Sequence, residues 1–266
     1  MLPVRQSPDT DSNVDFVKDE AATKQGNAAW IEEGRAKDSD FCSPGDVVLL
    51  GGKSIGDFRV RVAQSHARHD LTPSYWSLVG VVDDDRESIL TAPLWPLLSP
   101  DRVPISNGIR TMPLMQYDDA AEWPNIGVVR FPGTRQKPVE CVKRLARQRT
   151  VIDVPTLILP WLGFIWGAGA AGNPLLNGYG LPSAVLVEAA FGLAEVELTP
   201  GLATASSCPE AIYQAAKWWS GYYQQASGRR RGKAANHPVG RYKVRQREAS
   251  YLEPKADPAL AIDTGA

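Results

Sequence analysis

Ser43-Pro44-Gly45-Asp46-Val47-Val48-Leu49-Leu50 sets the frame for the whole chain. A Pro-Gly turn leads into a short run of β-branched and aliphatic residues, which reads as a buried strand. Gly51-Gly52 ends that strand. Ser54 then sits where a helix cap is needed, and the spacing predicts a helix over about 54–68. Its expected inner face carries Ile55, Phe58 and Val62, with Arg59, Arg61 and Arg68 on or near the solvated side. Asp70-Leu71-Thr72-Pro73 breaks it.

Working outward toward the C-terminus, Tyr75-Trp76-Ser77-Leu78-Val79-Gly80-Val81-Val82 reads as a second strand, closed by the turn Asp83-Asp84-Asp85. Ser88-Ile89-Leu90-Thr91-Ala92 follows so closely that the two predict a hairpin. Arg110 to Met115 and Ile126 to Phe131 are two further short strands. Pro138 suits the first turn of a helix over about 138–149, with Val139, Val142 and Leu145 inward. Residues 154–187 contain no charged residue. A membrane helix needs about 20 consecutive apolar residues, and Pro155, Pro160, Asn173, Pro174 and Asn177 interrupt this stretch. It is expected to be a buried or partly exposed apolar excursion, with an interfacial or partner-binding surface as the sharper alternative. A last helix is expected over about 209–225, with Ile212, Ala215, Trp219 and Tyr222 forming its core stripe.

The flanks differ in composition. Residues 1–42 hold nine Asp/Glu against five Lys/Arg and read as an acidic arm, with Trp30 docking on the core. Residues 229–247 hold eight Lys/Arg and no acid, and 248–266 hold four acids and one Lys. The expected organisation is an acidic arm over 1–42, a domain over 43–226 and a charged tail over 227–266. The tail is expected to pair with the acidic arm, or else to contact phosphates or acidic partners. The chain has 266 residues with 43% apolar and 22% charged composition, enough for a buried core. Its 29 basic and 30 acidic residues nearly cancel, which argues against a nucleic-acid partner. Met1 to Asp9 lacks the apolar run of a secretory signal, so a cytoplasmic location is expected as synthesised, with export by another route left open.

Three cysteines, Cys42, Cys141 and Cys208, stand without zinc-finger spacing, so neither a disulfide framework nor a metal site is expected. Cys208 precedes Pro209 at a predicted helix start, where unpaired N–H groups and the helix dipole favour a thiolate. The alternative is a small buried hydrophobe. Asp83-Asp84-Asp85 reads as a solvated turn rather than a cation site. Gly51-Gly52-Lys53-Ser54 lacks the upstream glycine of a phosphate loop. Gly167 to Gly172 matches G-x-G-x-x-G, but Asn173-Pro174 follows at once, so a loop is expected there and no cofactor.

The order of these motifs resembles the circularly permuted branch of the NlpC-like papain fold, which includes bacterial amidases and lecithin–retinol acyltransferase relatives. The resemblance runs from Pro44-Gly45-Asp46 through Ser77-Leu78 and Thr91 to the helix opening at Cys208, covering about residues 43–225. It implies an α+β, papain-like domain with a mainly antiparallel sheet of about five strands packed with helices. It also implies a thiol hydrolase or acyltransferase acting on an amide or ester, with a peptide, peptidoglycan or lipid substrate. Carried over by position, the nucleophile is Cys208 and the orienting polar residue is Thr91, but the base position holds Leu78. Of His66, His69 and His237, His69 is best placed to stand in as base. Two functions follow: a cysteine hydrolase using Cys208, His69 and Thr91, or a degenerate member that binds or scaffolds. In the second, the apolar 154–187 segment or the charged tails would meet a protein partner.

Overall fold

A computed structural model describes residues 16–19, 25–94, 108–133, 135–148, 154–167, 171–226 and 237–245. The fold is α+β. Strands β1 (Phe16–Lys18), β2 (Val47–Gly51), β3 (Leu78–Val82), β4 (Ser88–Thr91), β5 (Arg110–Pro113), β6 (Asn125–Arg130) and β7 (Val239–Val244) form one seven-stranded sheet in the order β1-β7-β6-β2-β3-β4-β5. All neighbours are antiparallel except β1 and β7. The expected hairpin is present, with Val81 opposite Leu90. Gly45 makes the Pro-Gly turn possible: its φ is 84°, and a Cβ there would lie 2.1 Å from the Arg135 carbonyl oxygen.

Both flanks enter this sheet, which is where it exceeds five strands. β1 comes from the acidic arm and β7 from the basic segment, so these residues are structural members of the domain rather than tails. Arg241 bonds Asp19 at 3.0 Å, so the basic segment does pair with the acidic arm. Alternation along β7 explains why its charge misleads. Tyr242 faces one side of the sheet, in the core cluster of Phe16 and Tyr213, while Lys243 faces the other. Lys243 is 1% exposed and lies over the Trp30 ring, and burial pushes its ammonium down to about 8.

Among the described residues six helices pack on the sheet: α1 (Asn27–Lys37), α2 (Ile55–Ala63), α3 (Gln136–Arg147), α4 (Val154–Trp166), α5 (Pro182–Leu193) and α6 (Pro209–Ala226). The strand alternation divides the core in two. On one face, Val47, Leu49, Val79 and Val81 meet residues of α2, α3, α4, α5 and α6. On the other, Val48, Leu50, Leu78 and Val82 meet Trp30 and Ile31 of α1 together with Phe41 and Tyr117. Trp30 docks as expected, and its Nε1 donates to Asp19 at 2.7 Å. In α3, Val139, Val142 and Leu145 are buried as expected.

Two helices are rotated from their expected phase. In α2 the buried face is Gly56, Val60, Arg61 and Ala63, while Ile55 and Val62 are exposed. Arg61 is fully buried because its guanidinium finds main-chain acceptors, with Nε donating to Ser74 O at 2.7 Å. Arg68, also expected outside, lies over the Tyr75 ring and reaches Glu210 at 3.4 Å. In α6 the core stripe is Ile212, Tyr213, Ala216 and Ser220, while Ala215 and Trp219 are only partly buried and Tyr222 is exposed. Tyr213 wins the inner position because it packs edge-on against Phe16, Trp76 and Tyr242.

The uncharged 154–187 stretch folds into α4, a short turn over Pro174–Asn177 and the first half of α5. Ile158, Trp161 and Ile165 are buried, whereas Leu159, Trp166 and Leu176 are exposed. Among the described residues no helix is long and apolar enough to cross a membrane. The Gly167–Gly172 match lies partly outside the described residues, and the element that follows it is the turn at Pro174, not an α-helix.

Candidate functional site

The starts of α5 and α6 are locked together by backbone. Gly180 N–H donates to Ala205 O at 2.6 Å and Leu181 N–H donates to Ser207 O at 2.8 Å. A Cβ on Gly180 would lie 2.6 Å from Ser207 O, so the two segments approach this closely only with glycine there. Cys208 follows immediately, just before Pro209, the first residue of α6.

Cys208 is 3% exposed. The N–H groups of Ala211 and Glu210 pull its pKa down, as a helix start should. Burial outweighs them, and the carboxylates of Glu210 and Glu188 push the same way, so the thiol rises to about 12. Both carboxylates are held in place. Glu210 accepts from Ser74 Oγ at 2.6 Å and Gln214 Nε2 at 2.6 Å, and its own N–H donates to Gln64 Oε1 at 2.9 Å. Glu188 accepts from Thr199 Oγ1 at 2.5 Å and Ser207 Oγ at 3.2 Å. Its own carboxyl is raised by burial.

The other residues singled out by sequence are committed elsewhere. Thr91 is fully buried, and its Oγ1 donates to Val79 O at 2.6 Å, tying β4 to β3. His69 is exposed. Its neighbour Asp70 is held by Arg68 at 2.9 Å, which keeps that carboxyl below its ordinary range. His66 is exposed, with Nδ1 at 3.0 Å from Ala63 O. His237 stacks on Tyr223. Asp83 and Asp84, expected to be solvated, both pair with Lys143, at 2.5 and 2.7 Å. Among the described residues no group of three or more His, Cys, Asp and Glu is placed to hold a metal ion.

Leu78, at the expected base position, does not join Cys208. It belongs to the Trp30 side of the sheet, whereas Cys208 packs with Val79 and Val81 on the other. The helix start that does share a cavity with Leu78 is that of α5. A cleft of about 430 Å³ is lined by the first turn of α2, by Ser77 and Leu78, by Leu94, Met112 and Trp123, and by Leu181 and Ser183. Ser183 is 1% exposed, and among the described residues its Oγ has no hydrogen-bond partner. Asp57, in the same cleft, receives a hydrogen bond from Ser54 Oγ at 2.5 Å, and burial raises its carboxyl. Sequence reasoning passed over Ser183. Its available signal was Pro182, a residue favoured at the first helical position, before the apolar run Ala184 to Val187.

No family model matches this chain, no curated protein matches it, and no solved structure matches it.

Proposed function

We propose that the chain is a non-catalytic member of the permuted NlpC-like papain group, a domain that binds its ligand instead of cleaving it. The observation that carries this reading is the burial of Cys208: the thiol is 3% exposed within the core, and that burial, reinforced by the charges of Glu210 and Glu188, pushes it up to about 12, which favours a neutral core residue at physiological pH. A nucleophile needs the opposite environment, with a lowered pKa and a base within hydrogen-bond reach. Leu78 cannot accept a proton, and Thr91 spends its hydroxyl on the backbone of β3. The ligand class that the resemblance supports is a peptide, a peptidoglycan fragment or a lipid, and the exposed Leu159, Trp166 and Leu176 offer an apolar surface to a protein partner.

Mass-spectrometric mapping of iodoacetamide adducts on the native chain at neutral pH tests this. Cys208 is expected to label no faster than Cys42, which is equally buried and also raised to about 12. Labelling of Cys208 well ahead of Cys42 and Cys141, slowed by His69→Ala, would restore the cysteine-hydrolase alternative with His69 as base.

A further inference from the structure

We propose that the cleft at the start of α5 is a binding site for a small neutral molecule with an apolar body and one amide or carbonyl group, anchored by the Ser183 hydroxyl. The inference rests on the non-catalytic reading above and gives it a ligand class and an address. The volume, about 430 Å³, lies within the range of small-molecule sites. Leu78, Leu94, Met112 and Trp123 supply apolar wall.

Charge selects the head group. Among the described residues the cleft is lined by one carboxyl group, Asp57, and by no Lys, Arg or His. An anion would face Asp57 with no cation to receive it. A cation would have to compete for a carboxyl already bonded to Ser54 Oγ and within the field of the buried Arg61. A neutral dipole meets neither obstacle.

Of the neutral polar side chains that line the cleft, Ser54, Ser77, Gln116, Tyr117 and Ser183, only Ser183 has a buried hydroxyl without a partner among the described residues. A buried hydroxyl without a partner is costly, and a carbonyl oxygen from a ligand would restore its hydrogen bond. The setting favours that oxygen. The first turn of α2 is capped by Ser54, whose Oγ accepts from Asp57 N–H at 3.0 Å. The first turn of α5 has no side-chain cap; Pro182 carries no N–H and the Ala184 N–H already bonds Leu181 O at 2.9 Å, so the helix end favours a carbonyl oxygen at Ser183 through its dipole rather than through further donors. Trp123 and Met112, which also line the cleft, accommodate an alkyl chain by contact alone.

The test is calorimetric titration of the full chain with octanamide, octanoate and octylammonium, with the mixtures analysed for hydrolysis products. Octanamide is expected to bind saturably and more tightly than either charged analogue. Ser183→Ala is expected to weaken octanamide about fivefold to tenfold, the share of one neutral hydrogen bond. Leu78→Trp, which fills the cleft, is expected to abolish binding while thermal unfolding remains cooperative. The inference fails if octanamide shows no saturable binding, if a charged analogue binds better, or if Ser183→Ala binds octanamide as well as the parent chain. Release of octanoate and ammonia from octanamide would instead overturn the non-catalytic reading and leave the site standing.

Discussion

The starts of α5 and α6 lie side by side, joined by two backbone hydrogen bonds, and they are opposites. At α6 the polar side chains around the first turn are paired: Glu210 with Ser74 and Gln214, and Gln64 with the Glu210 N–H. Its thiol is sealed in. At α5 the first turn lacks a side-chain cap, and its hydroxyl is unpartnered beside an open cleft. Sequence draws attention to α6, because a cysteine stands there. Geometry draws it to α5. A helix dipole contributes about 0.3–1 kcal/mol to a nearby charge, whereas taking an ion out of water costs several kcal/mol. A helix start therefore activates a thiol only where solvent or a cation also reaches it.

The largest expected effect attacks the closed start. Glu210→Ala removes a fully buried carboxylate that three side chains converge on, leaving Arg68 and Ser74 without it. The expected loss is about 3 kcal/mol of stability, seen as a lower urea midpoint at unchanged slope. Cys208 should nevertheless remain slow to alkylate, because burial, the larger cause of its raised pKa, is untouched. Fast labelling in this variant would show that the carboxylate, and not burial, holds the thiol neutral.

Next comes Leu78→His, which writes the expected base back into its strand. Leu78 is 6% exposed among Leu50, Val82 and Ile126, so an imidazole there loses apolar packing and buries polar atoms, at a cost of about 2 kcal/mol. No ester or amide hydrolysis should appear, since this side chain and Cys208 belong to different faces of the sheet. Turnover of p-nitrophenyl acetate that disappears in Leu78→His combined with Cys208→Ala would break the contrast between the two helix starts.

What sequence revealed and what it hid follow one physical rule. The runs Val47 to Leu50, Leu78 to Val82 and Ile126 to Val129 are apolar at nearly every position because both faces of the sheet are covered, and such runs are easy to read. Polar residues that are buried with partners look like surface in the sequence. Arg61, expected on the solvated side of α2, sits on its inner side because the Ser74 carbonyl receives it, and Gln64, just after the helix, is buried beside it on the Val60 and Trp76 carbonyls. Arg241 and Lys243 turned a strand into an apparent tail, although Tyr242 between them is core. α5 failed in the opposite way. Apart from Ser183 and Glu188 it is apolar on every side, so it carries no amphipathic period to find, and its burial on nearly every side is the reason. The candidate site inherited both errors: Cys208, Thr91 and Leu78 were legible as residue types, but which of them meet depends on strand alternation and on a helix that periodicity did not show.

The smallest effect is also the most selective. Ser183→Ala removes an unpartnered buried hydroxyl, so the ligand-free chain should gain about 1 kcal/mol, read as a higher thermal midpoint. Ser220 of α6 provides the matched comparison: it is fully buried and its Oγ is likewise without a partner among the described residues, but it does not line the cleft. Ser220→Ala should therefore stabilise by a similar amount and leave octanamide affinity unchanged. Ser183→Ala should stabilise and lose affinity together. Opposite signs on stability and binding at the start of α5, with stability alone responding at Ser220 in the C-terminal half of α6, is a pattern that a purely structural Ser183 does not produce.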